Sequence, residues 1–111
     1  MQDRENEADT HVYAGVALKE REAMRLFGGS GDNLDRIAAT LERKSGLKGI
    51  VLEDKVIIIG KELAHTRLVS ISDQEYIPFE VKPEVLENIA SKLEKLGIHA
   101  QVKTYLVSYM T

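Results

Sequence analysis

Two segments of this chain repeat one apolar spacing at an offset of 52 residues. Leu34-Asp35-Arg36-Ile37-Ala38-Ala39-Thr40-Leu41-Glu42-Arg43 aligns with Leu86-Glu87-Asn88-Ile89-Ala90-Ser91-Lys92-Leu93-Glu94-Lys95, and Leu, Ile, Ala, Leu and Glu coincide. Apolar residues at i, i+3, i+4 and i+7 give each segment one buried helical face. Each ends in a glycine, Gly46 or Gly97, followed by Leu47 or Ile98, the residue types of a left-handed helix stop with its hydrophobic contact. β-rich runs bracket both segments. Two one-faced helices interleaved with strands bury their apolar stripes together when both lie on one face of a common sheet.

The helix ends carry the expected chemistry. Asp32 is the expected N-cap of the first long helix, which begins around Asp32 or Asn33, and Asp35 adds negative charge to its first turn. Arg43 and Lys44 fall in the last turn, where cations are favoured. Pro83 opens the second helix at a position where its missing N–H costs nothing. A shorter helix of one or two turns is expected from Lys19 to Phe27, where Ala23, Leu26 and Phe27 share a face, ending at Gly28.

Val12, Ala14, Val16 and Leu18 alternate as in a strand with one buried face, and Tyr13 falls on the other. Gly49–Leu52 and Val56–Ile59 flank Glu53-Asp54-Lys55 and read as a hairpin. The second run lacks polar alternation, so it is expected to be a central strand covered on both faces and closed by Gly60. Lys61–Thr66 then read as a polar connection and Leu68–Ile71 as a further short strand, with Asp73–Tyr76 as a turn and Pro78 opposing a strand across Ile77–Phe79. Ile98, Ala100 and Val102 take one phase and Tyr105, Val107 and Tyr109 the other, which predicts a bulge or turn near Lys103-Thr104. The resulting fold class is α+β: a two-layer sandwich of ferredoxin-like or KH-like kind, with a mainly antiparallel or mixed sheet and two main helices on one face. If the helical repeat is genuine, the chain is two β-α-β units related by a pseudo-twofold; two amphipathic helices under one sheet would also look alike without it.

The chain has 111 residues, one domain's worth. It has no cysteine, which excludes disulfides, thiolate metal sites and cysteine nucleophiles. Its longest apolar runs fall far short of the roughly 20 residues that span a bilayer, so no membrane partner and a cytoplasmic location are expected. The net charge of −3 resides in residues 1–10, read as a flexible acidic leader; residues 11–111 hold 14 acidic and 14 basic side chains and form the domain. A neutral domain lacks the broad basic footprint of a typical nucleic-acid binder.

His11, His65 and His99 stand apart, without ligand spacing, so no metal site and no cofactor are expected. Ser30 lacks the Gly-x-Ser-x-Gly setting of a nucleophile elbow. No set of residues assembles a nucleophile, a base and an oxyanion site, and no enzymatic activity is expected. Gly28-Gly29-Ser30-Gly31 has a mechanism of its own. Consecutive glycines let backbone N–H groups converge, and a helix N-terminus follows. A nucleic-acid phosphate can dock at such a joint, with Arg25 and Arg36 supplying charge. Asp32 acts against this, since its carboxylate can take the same donors. The joint can equally be a structural turn between helices.

Gly28-Gly29-Ser30-Gly31, then Leu34 and Ile37, then Gly46 and the β-rich run closing at Gly60 resemble a KH domain. In that family a Gly-x-x-Gly loop joins two helices and clamps the nucleic-acid backbone. Leu26-Phe27-Gly28-Gly29 with Asn33-Leu34 is similar to the KH-like N-terminal region of PhoH-type ATPases. The resemblance covers residues 12–60. The loop centre, Gly29-Ser30, departs from it by lacking a basic residue, and without the ATPase domain no nucleotide hydrolysis is implied. Two functions follow as expectations. One is a single-stranded RNA-binding module using Gly28, Gly29, Ser30, Gly31, Arg25 and Arg36, with Tyr105 and Tyr109 as stacking surfaces. The other is a protein-interaction or homodimerisation module that pairs through its β-rich C-terminal strand.

Overall fold

The computed structural model describes residues 7–29, 31–68, 74 and 76–110, with Met110 described by its backbone alone. The elements run β1 (Ala8–Lys19), α1 (Glu20–Phe27), α2 (Leu34–Ser45), β2 (Lys48–Val51), β3 (Val56–Leu68), α3 (Pro83–Lys95) and β4 (Lys103–Met110). The strands form an antiparallel sheet in the order β2-β3-β1-β4. The fold is therefore α+β, a four-stranded antiparallel sheet with three helices. No helix among the described residues is long and apolar enough to cross a membrane.

The helices cover one face of the sheet. Ala14, Val16 and Leu18 of β1 and Ile57 and Ile59 of β3 meet Ala23 of α1, Leu34, Ile37, Ala38 and Leu41 of α2, and Ile89 and Leu93 of α3 in one core. Ile58 is buried on the opposite face, and β3 is central, as its unbroken apolar run predicts. Tyr13 is likewise buried away from the helices. β1 begins at Ala8, inside the stretch expected to be a leader; residues 1–6 of that stretch lie outside the described residues.

Helix caps decide where the helices stop. Gly46 ends α2 at φ +77°, donating its N–H to Glu42 O at 2.8 Å. Gly97 follows α3 at φ +86°, and Gly97 and Ile98 donate to Glu94 O and Leu93 O, the paired bonds of a Schellman motif. Ile98 packs into the core beside them. Pro83 opens α3 as expected. The N-cap of α2 is Asn33, whose Oδ1 accepts the Arg36 N–H at 2.9 Å, and not Asp32. Asp32 is one residue too early to reach that donor and is engaged within the loop.

Two strand expectations change, and a third falls mostly outside the described residues. β3 does not close at Gly60; it runs to Leu68, so Lys61–Thr66 belong to the sheet. Gly60 sits opposite Gly15, where the two backbones come so near that a Cβ on Gly15 would lie 2.0 Å from Ile59 O, and one on Gly60 2.0 Å from Ala14 O. The glycine marks a close strand approach, and the polarity beyond it belongs to the part of β3 that pairs with β1 alone, past the end of the β2 pairing. Of the expected strand Leu68–Ile71, Leu68 ends β3 and 69–71 lie outside the described residues. At the C-terminus β4 starts only at Lys103, so the phase change there marks the beginning of the strand and not a bulge within it; 98–102 carry no regular structure. The sheet's irregularity lies in the β1–β3 pairing, between Val12 and Tyr13.

Candidate nucleic-acid interface

The glycine-rich joint lies between α1 and α2. α1 ends where Gly28 donates its N–H to Met24 O at 2.8 Å, and a Cβ on Gly28 would lie 2.7 Å from that oxygen. Gly29 then donates its N–H to Asp32 Oδ2 at 2.7 Å, and the Asp32 N–H returns to Gly29 O at 3.1 Å. Gly31 occupies the left-handed region at φ +81°, open to glycine at no steric cost. Ser30 lies outside the described residues. Arg36 Nη1 stands 3.7 Å from Asp32 Oδ1, one helical turn along.

The joint thus holds an anion already, the carboxylate of its own Asp32, with a backbone N–H on one oxygen and a guanidinium near the other. These are the donors that a phosphate would use. Arg25 is exposed in the last turn of α1 and Arg36 in the first turn of α2. Between the two helices lies a cleft of about 310 Å³ whose lining includes Leu26, Phe27, Asp32, Arg36, Thr40 and Lys44. It combines an apolar floor with two cations. A second depression, of about 420 Å³, separates α2 from β2 and is lined by Asp35, Glu42, Arg43 and Gly49 among others. There the Gly49 N–H on the β2 edge is occupied by Glu42 Oε2 at 3.0 Å.

A second constellation, on the sheet face away from the helices, was invisible to spacing. His11 of β1 and His65 of β3 are direct cross-strand partners, and their rings stack at 4.1 Å within 5° of parallel. Tyr13 and Tyr109 stack on His11 at 5.7 and 5.6 Å. His11 Nδ1 bonds Glu62 Oε1, His11 Nε2 lies 3.2 Å from Tyr109 Oη, and His65 Nε2 lies 3.0 Å from Asp9 Oδ1. Arg67 Nε stands 3.5 Å from the same Asp9 oxygen and 3.6 Å from Glu7. The bond from His65, with the nearby Arg67 charge, holds the Asp9 carboxyl below its usual range despite burial. Burial, reinforced by Glu62, pushes the Tyr13 hydroxyl up to about 12.

Tyr105 is opposite Tyr13 and half-buried, whereas Tyr109 is 48% exposed. His99, expected within a strand, is exposed in the irregular segment before β4. Only the pairing of β1 with β3 joins His11 to His65, which are 54 residues apart in sequence; one signal was available, the polar and aromatic residues alternating from Asp9 to Tyr13. No family model, no curated protein and no solved structure matches the chain.

Proposed function

We propose that the chain is a binding module for single-stranded nucleic acid, most naturally RNA, built on a KH-like frame. The observation that carries this reading is the loop's hold on the Asp32 carboxylate through the Gly29 N–H and Arg36. A backbone phosphate competes for those donors, with Lys44 adding charge along the adjoining cleft and Arg25 at the end of α1. The order strand, helix, glycine-rich joint, helix, hairpin from β1 to β3 supports the KH-like frame. A ferredoxin-like arrangement of two β-α-β units is supported by the antiparallel order β2-β3-β1-β4 and by the central Gly15–Gly60 pair, about which β1 and β3, and β2 and β4, exchange places.

Fluorescence anisotropy with a labelled single-stranded RNA at low salt tests the proposal. Binding is expected to weaken as salt rises, to weaken further in Arg36→Ala, and to strengthen in Asp32→Asn, which removes the competing charge. Binding that is undetectable, or indifferent to both substitutions, overturns it.

A second reading has its own observation. β4 is an edge strand with Leu106 70% and Tyr109 48% exposed, the surface through which a second copy would add its strand. Sedimentation equilibrium decides: a dimer abolished by Leu106→Lys supports it, and a monomer at high concentration removes it.

A further inference from the structure

The polar cluster on the far face of the sheet is independent of the glycine-rich joint, and its chemistry differs. We propose that Asp9, His11 and His65 form a binding site for a divalent transition-metal ion of the zinc, nickel or copper class, with Glu62 orienting His11.

Register creates the site. His11 and His65 face each other across β1 and β3, and Asp9 lies two residues from His11 on the same strand, hence on the same face. One ligand atom from each residue lies within 4.8 Å of the others. A tetrahedral ion with bonds of about 2.0–2.2 Å needs its ligand atoms about 3.4 Å apart; His65 Nε2 and Asp9 Oδ1 are 3.0 Å apart, so a small adjustment within the set suffices. His65 supplies the movement. Its side chain is 43% exposed, so it can turn out of the ring stack, while His11 is 12% exposed and fixed.

His11 is held as metal-binding histidines are held. Its Nδ1 contacts the Glu62 carboxylate, which leaves Nε2 to carry the lone pair. A carboxylate behind a histidine sets the tautomer and raises its basicity toward a metal. Tyr109 Oη, now 3.2 Å from Nε2, is the group that yields. Two imidazoles and one carboxylate suit zinc, nickel or copper and not calcium or magnesium, which take oxygen ligands.

Charge favours the same ion. The Glu62 and Asp9 carboxylates lie against the two imidazoles, and a divalent cation is favoured beside them. Arg67 already contacts Glu7 as well as Asp9 and keeps an anionic partner when Asp9 turns to the metal. Three protein ligands leave a fourth position for water.

The test uses the full chain without a polyhistidine tag, stripped with chelator and titrated calorimetrically with zinc chloride and, separately, nickel chloride. One ion per chain is expected, with proton release and a higher Tm. His65→Ala should abolish the calorimetric signal, Glu62→Gln should weaken binding about tenfold, and His99→Ala should leave it unchanged. His65 is exposed, so its variant tests the site without disturbing the core; circular dichroism of that variant confirms the fold. No zinc or nickel binding by the parent chain, or binding that survives His65→Ala, overturns the proposal.

Discussion

Gly29 gives its N–H to Asp32 at 2.7 Å, and Arg36 closes the other side of the same carboxylate, so one acidic side chain governs two donors. At this scale the loop's chemistry and its stability oppose each other. Asp32→Asn keeps an acceptor for Gly29 but loses the ion pair, which is exposed and worth no more than about 1 kcal/mol; a small fall in denaturation midpoint should accompany the tighter RNA binding. Tyr13 offers a second residue-level test. Its hydroxyl titrates at about 12 in the folded chain, above the ordinary value of 10, so the unfolded state loses its proton first as pH rises. Tyr13 therefore contributes stability that is full below pH 10 and is lost from there to about 12. With chelator present, absorbance at 295 nm should show one of the four tyrosines titrating late, and Tyr13→Phe should remove that phase. The loop residues were legible because they are contiguous and glycine-rich. The histidine cluster was not, because nothing local ties His11 to His65; a strand register sets that contact, and the register depends on the irregularity between Val12 and Tyr13.

Helices and strands differ in how much of themselves they reveal. α2 and α3 were legible almost to the residue because face, cap and stop each leave a chemical mark. The error at the start of α2 concerned only which of two adjacent polar residues accepts the Arg36 N–H. Asn33→Ala should accordingly cost about 1 kcal/mol in a denaturant titration, the usual value of an N-cap. Ile89 and Leu93 anchor α3 to the sheet, each about 1% exposed, and replacing either by Ala should cost about 2–5 kcal/mol. β3 hid its length. Gly60 resembles a terminator, yet its meaning is set by Gly15 opposite it, and sequence says nothing about which residue stands opposite. Gly60→Ala should destabilise by about 3 kcal/mol or more, since the new Cβ would meet the Ala14 carbonyl oxygen and backbone cannot yield as a side chain does. A strand truly ending at Gly60 would tolerate that alanine.

Charge acts over the whole molecule, and it bounds how the RNA proposed as ligand would be held. The chain carries a net −3, with residues 11–111 neutral, so no long-range field draws a polyanion to the surface as a whole. Affinity must come from few contacts, and the joint supplies three candidate cations: Arg25 and Arg36 beside the loop, and Lys44 in the cleft. For single strands each neutralised phosphate contributes a slope of roughly −0.7 to a plot of log affinity against log salt. Two or three contacts therefore predict a slope of about −1.5 to −2, shallow beside that of a basic groove. Arg36→Ala should flatten it by about 0.7, whereas Asp32→Asn should raise affinity and leave the number of contacts unchanged. A slope steeper than about −4 would require cations that this joint does not have, and would move the interface to another surface of the molecule.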